Sequence, residues 1–473
     1  MDRVRWSALL MGWGKEPGPR YAQLAGALRD CIRDGQLRAG DALPAERRLA
    51  ELLHLSRSTV VTAYDTLAGE GWVTRRQGSG THVSPTAPRQ AALLALRSPV
   101  PASTLSGEGQ ADLLDLTIAV PTLTPAHRVR LEQASAGAFA DSAYYPLGLP
   151  ELRVFLAGLY TREGLPTTPE QVIVTSGAQQ AITLIAQTFL GRGDLALLET
   201  PTYFGAIDAF RAAGAELRGL RLGPEGVSPD SLHAALPLGP RLVFLTPTFQ
   251  NPTGTVIPPR MRERLAALVT DAGLPTIEDD TLIDLGFGGT TAPRLSTFAP
   301  QGTVINVGSL SKLFWAGLRL GWLRAPTSLL PALVQAKTLA DFGSALPSQV
   351  IALNLLRDLD TLREERRETV ITARDTLVDL LRKHLPEWTF TPPPGGQFLW
   401  VQLPTRNATA FTHFAYRFGV RLFPGASMGT GELPDTSLRL PFTLPPEQLP
   451  EAVARLRAAW ETFRERGPGE RLA

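Results

Sequence analysis

Apolar side chains recur at helical intervals in three short runs between residues 20 and 67. The first covers residues 21–32, and Gly35 with the Arg38-Ala-Gly-Asp41 turn ends it. The second covers 45–53 and starts behind Pro44. His54-Leu55-Ser56 then makes a tight connection to the third, 57–67, for which Ser56 is the expected N-cap. Two strand-like runs follow within 71–83 about a Gly78-Ser79-Gly80 turn, a wing with Arg75 and Arg76 beside its tip. Two helices joined by a few residues, the second opening with Ser-Arg-Ser-Thr, form the helix-turn-helix pattern. The opening turn presents one bidentate cation, Arg57, and the small hydroxyls of Ser58 and Thr59. That set suits phosphates and base edges. Any one of these features also fits a small three-helix packing unit with surface arginines; their order and spacing together favour DNA.

The pattern lapses over 85–112. Proline, serine, glycine and alanine dominate there around one short Ala/Leu piece at 91–96, which is linker composition. From Leu113 short apolar runs alternate with helical stretches, the texture of an α/β domain. Several of these strands end in polar turns. Val172-Ile-Val-Thr175 runs into Ser176-Gly-Ala-Gln-Gln180 and an apolar helix, and such a strand, glycine turn and helix N-terminus make an anion site. Many turns of this kind bind nothing. Tyr203 follows another short strand, and its ring either stacks on a flat ligand or merely packs. A third strand ends at Gln250-Asn-Pro-Thr-Gly254, and a fourth, Thr276-Ile-Glu-Asp-Asp280, ends in carboxylates. Buried acids at a strand end need a reason. An aspartate facing a pyridine nitrogen would hold that nitrogen protonated and make the ring an electron sink. A fifth run, 303–307, leads into Ser309-Leu-Ser-Lys312, at the strand end where open α/β sheets bind ligands.

Composition sharpens one of these positions. Only four of the 47 basic residues are lysines: Lys15, Lys312, Lys337 and Lys383. Arginine cannot be deprotonated in a protein, whereas a desolvated lysine can, and only a neutral amine condenses with an aldehyde. Lys312 is therefore a candidate for a carbonyl cofactor, with Ser309, Ser311 and Arg319 as phosphate donors. On this stretch alone, a lysine whose stem packs and whose head reaches water fits equally well.

The remaining bulk properties bound the class. At 473 residues, 44% hydrophobic and 19% charged, the chain reads as a soluble protein of two or three domains. A net charge of +2 names no partner, but residues 1–84 hold 12 basic and 9 acidic side chains, a formal +3, a weak hint of an anion-binding module. Cys31 is the single cysteine, so no intrachain disulfide forms and a reducing cytoplasm is expected. No ligand cluster surrounds His54 or His82, so no metal is expected. Neither a leader nor a membrane-spanning run is found.

Three of these motifs carry a resemblance. Pro44-Ala-Glu-Arg-Arg-Leu-Ala50, Leu55-Ser-Arg-Ser-Thr-Val60 and Gly78-Ser-Gly-Thr-His-Val83 together resemble the GntR-type winged helix over 17–84. The resemblance implies contacts to operator double-stranded DNA from Arg47, Arg57, Ser58 and Thr59. Ser56, at the head of that turn, and Arg75, Arg76 and Gly80 of the wing complete the expected DNA-binding set.

Further along, Tyr144-Tyr-Pro-Leu-Gly-Leu-Pro-Glu-Leu-Arg153, Ser176-Gly-Ala-Gln-Gln180, Asn251-Pro-Thr-Gly254, Glu278-Asp-Asp280, Ser309-Leu-Ser-Lys312, Gly317-Leu-Arg319 and Leu438-Arg-Leu440 occur in order. This set resembles class I aminotransferases of fold type I over 113–465. The resemblance implies pyridoxal 5′-phosphate (PLP) on Lys312 as an internal aldimine, with Lys312 and Asp279 as the catalytic pair. It implies phosphate contacts from Gly177, Ala178, Gln179, Ser309 and Arg319, Tyr203 stacked on the ring, Asn251 on its O3′ and Asp279 on its nitrogen. Arg439 would form the fork for a substrate carboxylate. Tyr144 or Tyr145 would reach the phosphate of a neighbouring subunit. The sequence departs from the family in one place: Thr281 and Leu282 stand where a tyrosine bonding O3′ is usual. That puts efficient transamination in doubt, though not cofactor binding.

A GntR-like module fused to such a body resembles the MocR family of bacterial transcription regulators. The fold so implied is a winged helix-turn-helix of α+β class over 15–84, a linker over 85–112 and a fold type I α/β body over 113–473. The body is an αβα sandwich with a small α+β C-terminal subdomain. The function so implied is that of a cytoplasmic homodimeric regulator whose body binds PLP and senses PLP or an amino compound. A working PLP-dependent aminotransferase with an accessory DNA-binding domain is the second reading, because a sensor and an enzyme use the same Schiff-base residues. A structural dimer without cofactor is the third, and the number of site residues weighs against it.

Overall fold

The structure is a computed structural model that describes residues 6, 19–33, 37, 40–53, 55–76, 80–84, 113–141, 143–288, 292–431 and 433–466. The expected linker, His54 and the tip of the wing lie outside the described residues. The chain divides into two compact units, 1–97 and 98–473.

In the first unit α1 (Arg20–Arg33), α2 (Glu46–Leu53) and α3 (Arg57–Gly69) precede a hairpin of β1 (Val73–Arg76) and β2 (Gly80–Val83). The helical stripes read from the sequence meet in one core: Leu24 and Leu28 of α1, Leu49 of α2, and Val60, Tyr64 and Leu67 of α3 are all buried there. The Tyr64 hydroxyl donates to the Pro44 carbonyl at 2.8 Å and so fixes α3 to the entry of α2. The hairpin pairs Val73 with Val83 and Arg76 with Gly80, which sends both valines into the same core.

The second unit begins with β3 (Leu114–Asp115), α4 (Pro125–Ala134) and α5 (Pro150–Arg162). There follow β4 (Val172–Thr175), α6 (Ala178–Phe189), β5 (Leu195–Thr200), α7 (Phe204–Ala212), β6 (Glu216–Gly223) and β7 (Gly226–Val227). Next come α8 (Pro229–Ala235), β8 (Leu242–Leu245), α9 (Pro259–Asp271), β9 (Thr276–Asp279), β10 (Val304–Ser309) and β11 (Gly321–Arg324). These strands form an eight-stranded sheet in the order β4-β11-β10-β9-β8-β5-β6-β7. Only β11 and β7 run against the others.

Both faces of the sheet are covered, which is why its strands read as continuous apolar runs rather than alternating ones. Ala196, Leu198, Leu242 and Phe244 face α6 and α7, while Leu197, Val243 and Leu245 face α8 and α9. The remaining helices are α10 (Leu330–Asp341), α11 (Leu346–Leu356) and α12 (Leu359–His384). A smaller layer then combines β12 (Phe398–Gln402), α13 (Ala408–Ala415), β13 (Val420–Arg421), β14 (Phe423–Pro424), β15 (Ser437–Pro441) and α14 (Leu449–Arg466). Its antiparallel sheet, β12-β15-β14, packs on α12, α13 and α14 around Trp388, Phe411 and Trp460. The start of the unit is bound into this layer: β3 pairs in parallel with β13, and Asp115 meets Arg421 at 3.0 Å. The three-layer body and small α+β subdomain match the expected fold class.

Candidate cofactor site and nucleic-acid interface

The parallel strands β4, β5, β8, β9 and β10 all end on one edge of the sheet, so the turns after them converge. Ala178, Gln179, Tyr203, Asn251, Asp279, Ser309 and Lys312 reach the edge in this way, and Arg319 and Arg439 join them. All nine line one cavity of about 410 Å³. Gly177 stands just behind. It has φ +109°, and a Cβ there would lie 2.9 Å from Arg319 Nη2, so glycine is what lets the guanidinium cross the turn. Arg319 Nη2 donates to the Ser176 carbonyl at 2.8 Å. Gly177 gives α6 no side-chain cap, so the first N–H groups of that helix and its positive end face the cavity.

One of the expected phosphate donors is already engaged. Ser309 spends its hydroxyl on its own turn, donating to the Leu320 carbonyl at 3.1 Å and accepting from Ser311 N at 3.1 Å. Ser311 also lines the cavity. Tyr144 and Tyr145, expected at the phosphate of a neighbouring subunit, stand outside this chain's own cavity; Tyr144 is 86% exposed, and the Tyr145 hydroxyl donates to Asp141 at 2.5 Å.

The three acids of the Glu278-Asp-Asp280 run separate by role. Glu278 accepts from the main chain of Leu295 and Ser296, at 2.6 and 3.0 Å. Asp280 pairs with Arg294 at 2.9 Å, and Arg294 in turn meets Glu163 at 2.7 Å. Asp279 alone reaches the cavity; burial pushes its carboxyl up, opposed by hydrogen bonds from Thr281 and by the charge on Lys312. Burial holds the Lys312 amine down at about 8, with the Arg439 cation pushing the same way and Asp279 opposing. Tyr203 is pushed up to about 12 by burial and then by Asp279. Arg439, held at about 10 by burial, lies against the rings of Phe423, Phe398 and Phe204 at 4.3, 4.8 and 5.9 Å.

These residues fit PLP. Arg439 Nε is a buried donor with no protein partner, a costly state that a ligand carboxylate would relieve. Thr281 and Leu282, the family departure, both line the cavity, and the Thr281 N–H is committed to Asp279 Oδ1 at 2.9 Å.

Several cavity residues were not read from the sequence. Residues 117–120 cross the site: the Ala119 carbonyl accepts from Lys312 Nζ at 2.7 Å, and the Thr117 carbonyl accepts from Arg439 Nη2. Ala119 lies 193 residues before Lys312, and no local pattern announces the contact. Gln397 and Arg366 stand behind Lys312, and Arg366 did leave a trace: it interrupts the buried helical stripe Leu362, Val370, Ala373 and Leu377.

In the first unit, Ser56 caps α3 by accepting from Thr59 N at 3.1 Å, and its hydroxyl stands 2.8 Å from that of Ser58 and 2.7 Å from that of Thr59. Arg57 and Ser58 are exposed in the first turn, and the Arg47 side chain is 86% exposed on α2. Arg57 lies 3.5 Å from Glu46. Arg75, beside the wing as expected from the sequence, lies 2.7 Å from Asp65 of α3 and 3.3 Å from Glu46. Gly80 pairs with Arg76 at the described end of the wing, and the Arg76 side chain lies outside the described residues. Among the described residues there is no group of three metal-binding side chains, and no helix is long and apolar enough to cross a membrane.

Comparison with known proteins places both units. Residues 20–83 match the bacterial regulatory proteins of the gntR family, and residues 111–456 match aminotransferase class I and II. The chain is 30% identical over 459 residues to the HTH-type pyridoxine biosynthesis transcriptional regulator PdxR of Corynebacterium glutamicum, covering 90% of this chain and 94% of that protein. It is 31% identical over 405 residues, 78% of each chain, to the probable rhizopine catabolism regulatory protein MocR of Rhizobium meliloti. The crystal structure of LysN, the alpha-aminoadipate aminotransferase of Thermus thermophilus complexed with N-(5′-phosphopyridoxyl)-L-leucine, aligns with a TM-score of 0.70 and 31% identity. The alignment covers 75% of this chain and 94% of that one. Because the likeness to regulators runs through both units rather than stopping at the enzyme-like body, the chain belongs to the MocR-type transcription regulators, a GntR winged helix carried by a class I aminotransferase domain.

Proposed function

We propose that this regulator holds PLP on Lys312 and changes its affinity for operator DNA when PLP or an amino compound occupies that site. The observation that carries the reading is Lys312 itself, a half-buried amine just past a strand end, held at about 8 by desolvation, so that a useful fraction is uncharged near neutral pH. When bound, PLP supplies an aldehyde carbon on which amines exchange and a ring that withdraws electrons.

The chain's own residues divide the remaining work. Gly177, Ala178 and Gln179 at the start of α6, with Ser311 and Arg319, would hold the phosphate, and Ser309 would join them by turning its hydroxyl from the Leu320 carbonyl. Tyr203 would lie along the ring, Asn251 would meet O3′ and Asp279 would keep a proton on the ring nitrogen. Lys312 would supply an uncharged amine at Nζ to the aldehyde, and Arg439 would take the carboxylate of an amino acid. The absence of a phenol at 281–282 favours sensing over fast turnover, since Thr281 is shorter and its N–H is turned to Asp279.

Tyr144 and Phe342 support a homodimer. They are 86% and 64% exposed, and the chain segments that carry them pass close together, since a Cβ on Gly343 would lie 2.6 Å from the Tyr145 carbonyl. A second copy would cover them. The protein would act on operator double-stranded DNA in the cytoplasm.

The test is operator affinity of wild type and Lys312→Ala, each with and without PLP and candidate amino acids. Only differential contacts shift an equilibrium, and by linkage DNA must alter ligand affinity by the same factor. Wild-type affinity is expected to change by about 1–3 kcal/mol, several-fold to hundred-fold. Lys312→Ala should bind DNA and show no response. Unchanged wild-type affinity in every condition, together with rapid multiple turnover of amino donors and keto acids, would establish the aminotransferase instead.

A further inference from the structure

Arg366 is 8% exposed, set in the apolar stripe that α12 turns to the core. A buried guanidinium is costly unless a carboxylate pairs with it. Here its hydrogen-bond partners are neutral. Its Nε donates to the main-chain carbonyl of Lys312 at 3.1 Å, and its Nη2 donates to Gln397 Oε1 at 3.3 Å. Gln397 is fully buried and passes the contact on, its Nε2 donating to the Ala119 carbonyl at 3.1 Å. That same carbonyl accepts from Lys312 Nζ at 2.7 Å. The hydrogen bonds close a circuit that begins at the carbonyl of Lys312 and ends at its amine.

We propose that Arg366 is the positioning residue of Lys312, fixing its main chain from one side and, through Gln397 and the Ala119 carbonyl, its amine from the other. The proposal rests on the reading of Lys312 as the reactive amine. The circuit accounts for an otherwise expensive burial. It holds Nζ at one point of the cavity, as covalent capture of an aldehyde requires. It also sets an uncompensated positive charge beside the amine. The charged groups facing Lys312 are Asp279 from β9, Arg439 from β15, Arg319 from the turn before β11 and Arg366 from α12. Asp279 favours the ammonium, and the three arginines favour the free amine.

Two readouts on the full-length protein test this. The first, with no PLP added, is the pH midpoint of Lys312 labelling by acetic anhydride, followed by peptide mass spectrometry with Lys383 as internal reference. The second is the rate of covalent PLP capture, followed by absorbance. Arg366→Gln should raise the Lys312 midpoint by roughly one unit. It should slow capture near neutral pH by about tenfold, because the uncharged fraction falls in that ratio. Arg366→Lys keeps the charge and should restore the midpoint. Gln397→Met leaves Arg366 in place and breaks the circuit, so it should slow capture with little change in midpoint. A folded Arg366→Gln with wild-type midpoint and capture rate overturns the proposal. Should Arg366→Gln fail to fold, a wild-type capture rate in Gln397→Met overturns it. A wild-type chain that captures no PLP would sink the Lys312 reading, while the labelling midpoints would still decide the role of Arg366.

Discussion

The cations of the winged helix and those around the cofactor site are held in opposite ways. In the winged helix they are exposed and paired with acids: Arg57 stands 70% exposed and 3.5 Å from Glu46, and Arg75 is shared between Asp65 and Glu46. Around the cofactor site they are held by neutral groups, Arg439 and Arg366 buried and Arg319 exposed, whereas Arg294 deeper in the body meets Asp280 and Glu163. Arg439 rests on the Thr117 carbonyl and three phenyl rings, Arg319 on the Ser176 carbonyl, and Arg366 on a carbonyl and an amide. The difference follows from the ligands. A surface ion pair is weak in water, so phosphates of DNA can displace the carboxylate at little cost. A buried cation already neutralised by an acid would gain little from a ligand anion, whereas one held by carbonyls still lacks a counter-charge.

The largest effect expected from this contrast is at Arg439. Arg439→Gln removes a charged hydrogen-bond donor from a buried site and should weaken amino-acid binding by about 1.5–3 kcal/mol, tenfold or more. Ligand-free operator affinity should not move. An absorbance titration of the PLP-loaded protein measures the first, and wild-type affinity there would break the buried half of the comparison.

A somewhat smaller loss is expected at Arg57. Arg57→Ala should remove about 1–3 kcal/mol of discrimination between operator and random duplex. Arg75→Ala should do less, because that arginine is already engaged on α3. Competition gel shifts would settle the order, and equal losses for the two variants would contradict the placement of α3 as the reading helix.

The smallest effect is also the sharpest test of the exposed half. Glu46→Gln frees Arg57 and Arg75 from a shared carboxylate. Affinity for random duplex should rise a few-fold, and the salt dependence should steepen by about one counterion. Unaltered salt dependence would mean that Glu46 is no placeholder for phosphate.

Much of this arrangement was legible in the sequence because it sits at strand and helix ends. Ser56 before an apolar-periodic run marks a cap, and Ser56 does cap α3. Lys312 and Asp279 follow directly on β-run patterns, so their approach to one edge of the sheet needed only a parallel topology. Contacts made by the main chain were not legible. The carbonyls of Thr117 and Ala119 have no residue-type signature, and they arrive from a segment whose path is set by the pairing of β3 with β13. The Glu278-Asp-Asp280 run shows the complementary limit. Three acids in a row announced buried charge, but only the alternation of strand faces, with Arg294 beneath, separates the one that reaches the cavity from the two that brace the sheet.

The rings around Arg439 also determine when its freedom is lost. An arginine side chain carries about 2 kcal/mol of rotamer entropy. Packed between Phe398 and Phe423, this one has surrendered that freedom as the small subdomain assembles, long before a ligand arrives. Its plane is then fixed. A guanidinium that cannot turn offers its two-pronged edge in one direction only, so an anion must arrive along that edge to take two parallel hydrogen bonds. The site therefore sorts ligands by the direction in which they carry their anion as much as by its charge.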